Sequence, residues 1–166
     1  MPERVRFQGL AAEGNIGGTK ALALKPTTYM NLSGQSVGEA VRFYKIPLEN
    51  IIVLHDELDL PLGKIRVKTG GGHGGNNGLR SIIGHLGENF CRIRLGIGHP
   101  GEKHLVTGHV LSNFSKAEQA TVEAATESIA RHIGLLIDGD APGFMNKLAL
   151  DIAPHKSKDA DTTKGN

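Results

Sequence analysis

A run of glycines in the middle of the chain constrains the fold more than any other feature of the sequence. Residues 68–78 read KTGGGHGGNNG, with six glycines among eleven positions. Glycine loses more conformational entropy on folding than any other residue, so such density is typical of flexible linkers or of backbone that closely approaches a ligand. Cationic and apolar side chains alternate at 64–68, which predicts a strand, and apolar side chains recur at helical spacing at 79–86. Because ordered elements flank the run, we interpret it as a strand-to-helix loop, with Asn76 or Asn77 as the N-cap.

The rest of the chain alternates strand-like with helix-like segments. This alternation predicts an α/β fold, a three-layer α/β/α sandwich around a mixed, mostly parallel sheet. We expect a single domain at 1–150 and a disordered tail at 151–166, where lysine, aspartate and threonine recur without periodicity. The predicted strands are 20–25, 51–55, 64–68 and 90–97. The predicted helices are 33–44, 79–86, one opened by the capping box of Ser115 and Glu118, and one capped by Asp140. The helix that Ser115 opens has an apolar stripe at Val122, Ala125, Ile129, Ile133 and Leu136.

Composition and charge point to the reducing cytosol and to an anionic partner. The single cysteine, Cys91, excludes a disulfide within the chain. The N-terminus lacks the pattern of a secretory signal, and no apolar stretch approaches the roughly 20 residues of a membrane span. The net charge is +2, yet residues 64–94 contain six basic side chains and one acid. This local positive charge favours an anionic partner, although a solvated surface would show the same pattern.

Two segments outside the glycine run carry candidate site residues. Asp56 follows the apolar segment 51–55 and so emerges at a strand end, where open α/β folds place ligand sites. Its carboxylate can orient a histidine, bind a metal or cap the following turn. In PTTYMNLSG at 26–34, Tyr29 and Asn31 precede a helix, which is typical of a binding loop or of a plain cap with a hydrophobic staple.

Two other features suggest chemistry but are poorly supported. Cys91 lies on the apolar side of its strand, which favours a buried structural thiol over a nucleophile. Gly70, Gly72 and Gly75 fit the spacing of a dinucleotide-binding fingerprint. No acidic residue ends the following strand to bind a ribose, however, so a dinucleotide-binding enzyme is a distant alternative.

Three segments, taken in order, resemble one family. They are KPTTYMNLSG at 25–34, HDELDLPLGKIRVKTGGGHGGNNGLRSI at 55–82 and FCRIRLGIGHPG at 90–101. The set is similar to the bacterial peptidyl-tRNA hydrolase family over nearly the whole chain. The resemblance implies an enzyme that hydrolyses the ester between a peptide and the 3′ ribose of tRNA, so that the tRNA is recycled. It also implies a cytoplasmic monomer that needs neither a metal nor an organic cofactor, with peptidyl-tRNA as its partner and no membrane association.

The resemblance assigns catalytic and peptide-binding roles to three residues. Asp56 is expected to hold and polarise a catalytic histidine, which activates the attacking water as a general base. Asn31 and Asn77 are expected to hydrogen-bond the peptide backbone and the water near the scissile ester. The glycines would then keep side chains out of a cleft that admits peptide and nucleotide backbone.

Three further residues are expected to contact the tRNA. Tyr29 would line the same cleft as the two asparagines. Lys68 and Arg94 would clamp a tRNA phosphate. This agrees with the cationic faces of their strands, since alternation at 90–97 places Arg92 and Arg94 together on one side.

The chain departs from the family pattern in two places. The family opens with a segment resembling G-x-x-N-P-G-x-x-Y-x-x-T-R-H-N, which supplies the catalytic histidine, and we expect this chain to be truncated before it and inactive. Of the eight histidines, His73 lies in the glycine run, and His55 precedes Asp56 on an alternating strand and should point away from it. The smaller departure is Asn76, where the family commonly has histidine. The alternative hypothesis is a non-catalytic RNA-binding protein that keeps the cleft and the basic clamp.

Overall fold

Strands and helices follow one another in the α/β order that the sequence predicts. The structure is a computed structural model that describes residues 2–98 and 115–151. The strands are β1 (Arg4–Arg6), β2 (Gly9–Ile16), β3 (Thr19–Pro26), β4 (Ile52–Glu57), β5 (Ile65–Thr69) and β6 (Cys91–Gly96). The helices are α1 (Ser33–Tyr44), α2 (Asn77–Leu86), α3 (Lys116–Ile137) and α4 (141–151), and short 3-10 turns occupy Met30–Leu32 and Leu48–Asn50.

The strands form two sheets, and the chain divides into two compact units. The sheets have the strand orders β1-β2-β3 and β4-β6-β5. The first unit comprises Met1–Val53 and Lys68–Arg92, and the second comprises Leu54–Val67 and Ile93–Asn166. The assignment of 1–150 to one domain stays a prediction.

The first unit opens with an antiparallel sheet that the sequence predicted only in part. β1 pairs with β2, and β2 pairs with β3. A two-residue turn joins β1 to β2 through Phe7 and Gln8, which both have φ of 54°. Gly17 and Gly18 form the turn between β2 and β3, with φ of 57° and 86°. Glycine adopts this conformation without a steric penalty. Only β3 was predicted, because β1 and β2 contain few of the large apolar residues that reveal strand alternation.

Helix α1 packs on this sheet through the turn residue Phe7. Phe7 is buried together with Ala11 of β2 and Ala40 of α1. Its ring lies edge-on to Tyr44 at a centroid distance of 5.8 Å. The hydroxyl of Ser36, which is fully buried, donates to the Phe7 carbonyl at 2.6 Å. These contacts tie the first turn of the chain to the middle of α1.

Helices α1 and α2 meet at a glycine. A Cβ atom on Gly34 would lie 2.2 Å from the carbonyl oxygen of Ser81, so no larger residue fits without a shift of the backbone. The Gly34 amide also donates to the Ser81 hydroxyl at 2.8 Å. Beside this contact lies a core cluster of buried apolar residues, Ile51, Leu79, Ile82 and Phe90.

Side-chain caps define the helices of the second unit, as the sequence predicted. Ser115 accepts a hydrogen bond from the Glu118 amide at 3.2 Å, and Glu118 accepts one from the Ser115 amide at 3.0 Å. This capping box begins α3. Asp140 accepts a hydrogen bond from the Gly143 amide at 2.9 Å and caps α4. The predicted apolar stripe of α3 buries Ala125, Ile129 and Leu136.

A single carboxylate joins α4 to α3. Asp151 accepts hydrogen bonds from Ser128 at 2.6 Å and Arg131 at 3.1 Å, and it lies 3.0 Å from the His132 ring nitrogen. The Ser128 hydroxyl, followed by His132 and Arg131, holds the pKa of this carboxyl below its usual value of 3.8, against the opposing effect of burial. The tail was predicted at 151–166. Asp151 is instead the last residue of α4 that the structure describes, and residues 152–166 lie outside the described residues.

Candidate functional site

A groove in the first unit brings together three of the residues singled out in the sequence. It has a volume of about 620 Å³, and Tyr29, Asn31 and Asn77 line it together with Met30, Arg80 and Ser81. Tyr29 is 82% exposed and Met30 is 63% exposed, so an aromatic ring and a thioether are presented to solvent beside two side-chain amides. The groove therefore combines apolar surface with groups that both donate and accept hydrogen bonds.

Close packing at a second glycine holds the two walls of the groove together. One wall is the 3-10 turn Met30–Leu32, and the other is the start of α2. A Cβ atom on Gly78 would lie 2.7 Å from the Met30 sulfur, so the methionine occupies the space that a larger residue would fill. The Ser33 hydroxyl donates to the Met30 carbonyl at 2.8 Å and fixes the end of the 3-10 turn. Asn31 and Asn77 thereby line the same groove.

The start of α2 separates the roles of the adjacent asparagines. Asn76 is the N-cap, because its side-chain oxygen accepts a hydrogen bond from the Leu79 amide at 3.0 Å. Asn77 is the first helical residue and is exposed. The sequence left the two candidates for the cap open, and the structure assigns the cap to Asn76. Asn77 is the one whose side chain faces the groove.

Arg80 and Ser81 also line the groove, although neither was predicted as a site residue. They lie three and four positions after Asn77, the spacing that places residues on one face of a helix. Helical periodicity applied to the polar residues, as well as to the apolar ones, was the signal that could have found them. Arg80 is exposed and adds a positive charge to the groove wall.

The glycine-rich loop, residues 70–76, lies against a buried arginine, which corrects one sequence-based expectation. The alternation of Phe90 to Ile97 placed Arg92 with Arg94 on a cationic face of the strand. Arg92 is instead 2% exposed. Its guanidinium donates to the carbonyls of Gly71 and Gly72 at 2.5 Å each and to that of Glu88 at 3.0 Å. Backbone oxygens accept from both of its terminal nitrogens, while its buried Nε has no hydrogen-bond partner among the described residues. Side-chain alternation cannot reveal such backbone partners.

Lys68 lies on β5, two positions before the glycine-rich loop. It is exposed at the end of β5. A Cβ atom on Gly71 would lie 2.7 Å from both the Cε and the Nζ of Lys68, so the lysine side chain lies along the bare backbone of this glycine. Gly71 has φ of 94°, which also disfavours a side chain there.

The second unit contains the other two predicted site residues. Asp56 is partly buried on β4, and the ring of the preceding His55 lies 2.8 Å from the Asp56 carbonyl oxygen through Nδ1. Arg94 on β6 donates from Nε to the Glu57 carboxylate at 2.9 Å, with both side chains partly buried. The sequence did not predict this ion pair, since Glu57 and Arg94 are 37 positions apart. Any anion that binds Arg94 must share it with Glu57.

Cys91 has the environment of a structural thiol. It is half-buried, and burial raises the pKa of its thiol, with a smaller opposing effect from a hydrogen bond with Thr69. A raised pKa lowers the thiolate fraction and hence the nucleophilicity at neutral pH. This agrees with the interpretation from the sequence.

The described residues, 2–98 and 115–151, contain neither a cluster of metal ligands nor a helix that could span a membrane. They contain no group of three or more histidine, cysteine, aspartate or glutamate side chains able to hold a metal ion. None of the helices within these ranges is both long and apolar enough to span a membrane.

Comparison with known proteins identifies the family. A family model described as peptidyl-tRNA hydrolase matches residues 1–158. A peptidyl-tRNA hydrolase of Rhodospirillum centenum is 54% identical over 155 residues, which cover 93% of this chain and 68% of that protein. One from Dinoroseobacter shibae is 56% identical over 156 residues, covering 94% of this chain and 66% of the relative. The chain thus spans about two thirds of the length of the curated relatives it matches.

Solved structures agree. The crystal structure of peptidyl-tRNA hydrolase from Acinetobacter baumannii matches with a TM-score of 0.79 and 49% identity, covering 86% of this chain and 72% of that one. The likeness confirms the predicted fold class, a three-layer α/β/α sandwich with a mixed sheet. Fold and sequence together define the class as a family of enzymes that hydrolyse an ester bond. The chain belongs to the peptidyl-tRNA hydrolase family.

Proposed function

We propose that residues 1–166 provide the substrate groove and the orienting acid of a site that hydrolyses peptidyl-tRNA. The observation that carries the proposal is the groove of the first unit, in which Asn31 and Asn77 face the same space. These residues come from segments 46 positions apart in the chain, and the family resemblance assigns both of them to substrate binding. Membership of the peptidyl-tRNA hydrolase family supplies the reaction and the substrate.

The two amides suit the recognition of a peptidyl ester. Each carries an N–H donor and a carbonyl acceptor, so the pair can bond the N–H and C=O groups of a peptide and also orient a water molecule. Ester hydrolysis requires a positioned water and stabilisation of the oxygen that gains negative charge. Asn31 and Asn77 supply hydrogen bonds to these groups, and exposed Tyr29 supplies a ring on which a nucleobase stacks.

Cationic residues extend the proposed interface to the tRNA backbone. Lys68 is exposed and contributes a point charge for a phosphate. Arg94 contributes a second charge, which Glu57 partly neutralises through their ion pair. We assign most of the phosphate attraction to Lys68 for this reason. The family resemblance and the single cysteine support a cytoplasmic monomer with peptidyl-tRNA as its partner.

Asp56 completes the proposed chemistry by orienting a histidine that acts as general base. The sequence assigns none of the eight histidines of this chain to that role. The polypeptide of residues 1–166 therefore binds substrate but hydrolyses it slowly by itself, because a general base contributes roughly 10² to 10⁴ in rate. Binding and turnover can thus be measured separately.

The test uses the purified 166-residue chain with an N-acetyl-aminoacyl-tRNA. Asn31→Ala and Asn77→Ala should each weaken binding about 3- to 10-fold, the effect of losing one hydrogen bond. Asn146→Ala, which removes an exposed amide from α4, is the matched control and should bind like the wild type. Lys68→Gln should weaken binding most at low salt and lower the salt dependence by about one phosphate contact.

Each component of the proposal has an outcome that contradicts it. Unchanged binding by both groove variants would show that the substrate lies elsewhere. Release of the N-acetyl-amino acid by residues 1–166 at an ordinary enzymatic rate would contradict the assignment of the general base. Equal binding of acylated and deacylated tRNA would favour the alternative, a non-catalytic RNA-binding protein.

A further inference from the structure

Arg92 is a buried cation for which the proposed chemistry has no use. It is 2% exposed, and its guanidinium stacks over the Phe90 ring at 4.6 Å from the centroid. Its terminal nitrogens donate hydrogen bonds to backbone carbonyls, those of Gly71, Gly72 and Glu88. Burial of a guanidinium is unfavourable unless hydrogen bonds replace those of water. Because burying the Arg92 guanidinium is costly, its presence here suggests that the backbone conformation of the loop it binds is important.

The guanidinium fixes which edge of the glycine-rich loop faces inward. Two consecutive carbonyls, those of Gly71 and Gly72, point at Arg92. In a trans peptide unit the N–H lies opposite the C=O, so the amides of Gly72 and His73 point away from the guanidinium. Glycine has no side chain to enforce such an orientation, and many others are open to it. Arg92 therefore selects one backbone conformation from this set.

Hydrogen bonds hold the glycine-rich loop on both sides of His73, and Arg92 donates two of those before His73. After that residue, the Asn76 amide donates to the His73 carbonyl at 2.9 Å, and Asn76 caps α2. Before it, the Gly70 amide donates to the Phe90 carbonyl at 3.1 Å, beside the guanidinium contacts. The segment between these two sets of hydrogen bonds leads directly into Asn77, which lines the groove.

Arg92 also affects Lys68 through Gly71. The lysine side chain lies against this glycine, whose carbonyl the guanidinium holds. A shift of Gly71 would therefore move the surface on which Lys68 rests. Arg92 thus contacts the backbone beside Lys68, at the start of the loop that leads to Asn77.

We infer that Arg92 is a positioning residue, which orders the glycine-rich loop so that Asn77 and Lys68 meet the substrate in fixed places. The inference deepens the proposed function and rests on it for the identity of the substrate. The ordering of the loop can be measured without substrate. Failure of the proposed function and failure of this inference are therefore distinguishable.

The experiment compares three variants of the 166-residue chain by amide hydrogen exchange and by binding. Arg92→Met removes the donors but keeps an apolar side chain of similar length, and Arg92→Lys keeps the charge without the planar fork. Ile82→Val weakens the neighbouring core without touching the loop, and serves as the matched control for lost stability. The probe for binding is N-acetyl-aminoacyl-tRNA over a range of salt concentrations.

The expected pattern separates positioning from stability. In Arg92→Met, exchange at 70–75 should rise about 10-fold or more above that in Ile82→Val, since two charged hydrogen bonds to the loop are lost. Probe binding should weaken about 10-fold, with a smaller salt dependence, because Lys68 loses its support. Arg92→Lys should fall between wild type and Arg92→Met in both measurements, as a partial rescue.

Two results would overturn the inference. One is loop exchange in Arg92→Met that matches the control variant. The other is a disordered loop together with wild-type affinity and wild-type salt dependence, which would make Arg92 a structural residue only. Absence of probe binding by the wild-type chain would contradict the proposed function instead, and the exchange data would then decide whether Arg92 orders the loop.

Discussion

The helices of the two units are held in opposite ways. In the first unit α1 and α2 approach each other closely because Gly34 has no side chain and lies against the backbone of Ser81. In the second unit α3 and α4 are joined through side chains, with Asp151 bound to Ser128, Arg131 and His132. The first arrangement tolerates no added atom, and the second depends on charge and hydrogen bonding.

The difference follows from what each helix pair has to do. The groove needs the start of α2 close to the turn Met30–Leu32, and glycines at 34 and 78 permit that approach. The helices α3 and α4 present no such requirement among the described residues, so caps and the Asp151 carboxylate can act alongside their buried apolar residues. The first pair should therefore be sensitive to volume and the second to pH.

The largest expected effect is that of Gly34→Ala. The new Cβ would lie 2.2 Å from a backbone oxygen, which cannot move without displacing α2. We expect a loss of about 3 kcal/mol in the free energy of unfolding, near the upper end for overpacking. Urea denaturation followed by circular dichroism measures it.

Gly84→Ala is the control for this substitution. Gly84 also lies in α2, but a Cβ atom there would meet no atom within 4 Å. Alanine should stabilise the helix by about 0.4 to 1 kcal/mol, because it restricts the unfolded chain. Similar destabilisation by both changes would show that the close contact at Gly34 is not the source of the lost stability, because a Cβ atom on Gly84 meets no neighbour.

The caps of α2 and α3 provide an intermediate effect that sharpens the comparison. Asn76→Ala and Ser115→Ala each remove a side-chain acceptor at a helix start, and each should cost about 1 kcal/mol of stability. Only Asn76→Ala should also weaken binding of N-acetyl-aminoacyl-tRNA, because its helix carries Asn77. Equal binding by the two variants would mean that the groove does not depend on the cap of α2.

The smallest expected effect is the pH dependence of the second helix pair. The pKa of Asp151 is lowered in the folded protein, so its stabilising contribution is present above the unfolded value of 3.8 and is lost as the pH falls through the lower folded value. Asp151→Asn should therefore be less stable than wild type near neutral pH, and the gap should close below about pH 4. Thermal midpoints of both proteins from pH 7 to pH 2.5 test this. A gap that stays constant with pH would rule out ionisation of Asp151 as its source.

The sequence predicted the elements whose signals are local. The capping box at Ser115, the cap at Asp140 and the apolar stripe of α3 each depend on residues within a few positions of one another. The tripeptide β1 and the alanine- and glycine-containing β2 lacked such signals, because their pairing is stabilised by partners and not by their own composition. The class of fold was nevertheless predictable, since it depends only on the order of the stronger elements.

The environment of charged residues was the least predictable part of the site. Alternation correctly separates the two faces of a strand. It cannot show that Arg92 is buried on one face, where backbone carbonyls accept its hydrogen bonds. In the same way, the pairing of Arg94 with Glu57 joins positions far apart in the chain. Side-chain amides were easier to place, because Asn31 and Asn77 belong to segments with distinctive composition next to helix starts.

The turn at Phe7 and Gln8 has a consequence for how the hairpin acquires its register. Both residues adopt a left-handed backbone conformation that an asparagine–glycine pair would adopt with far less strain. What compensates is the aromatic ring of Phe7, which is anchored beneath α1. The alignment of β1 with β2 thus depends on packing against α1, and we expect this hairpin to be unstable as an isolated peptide.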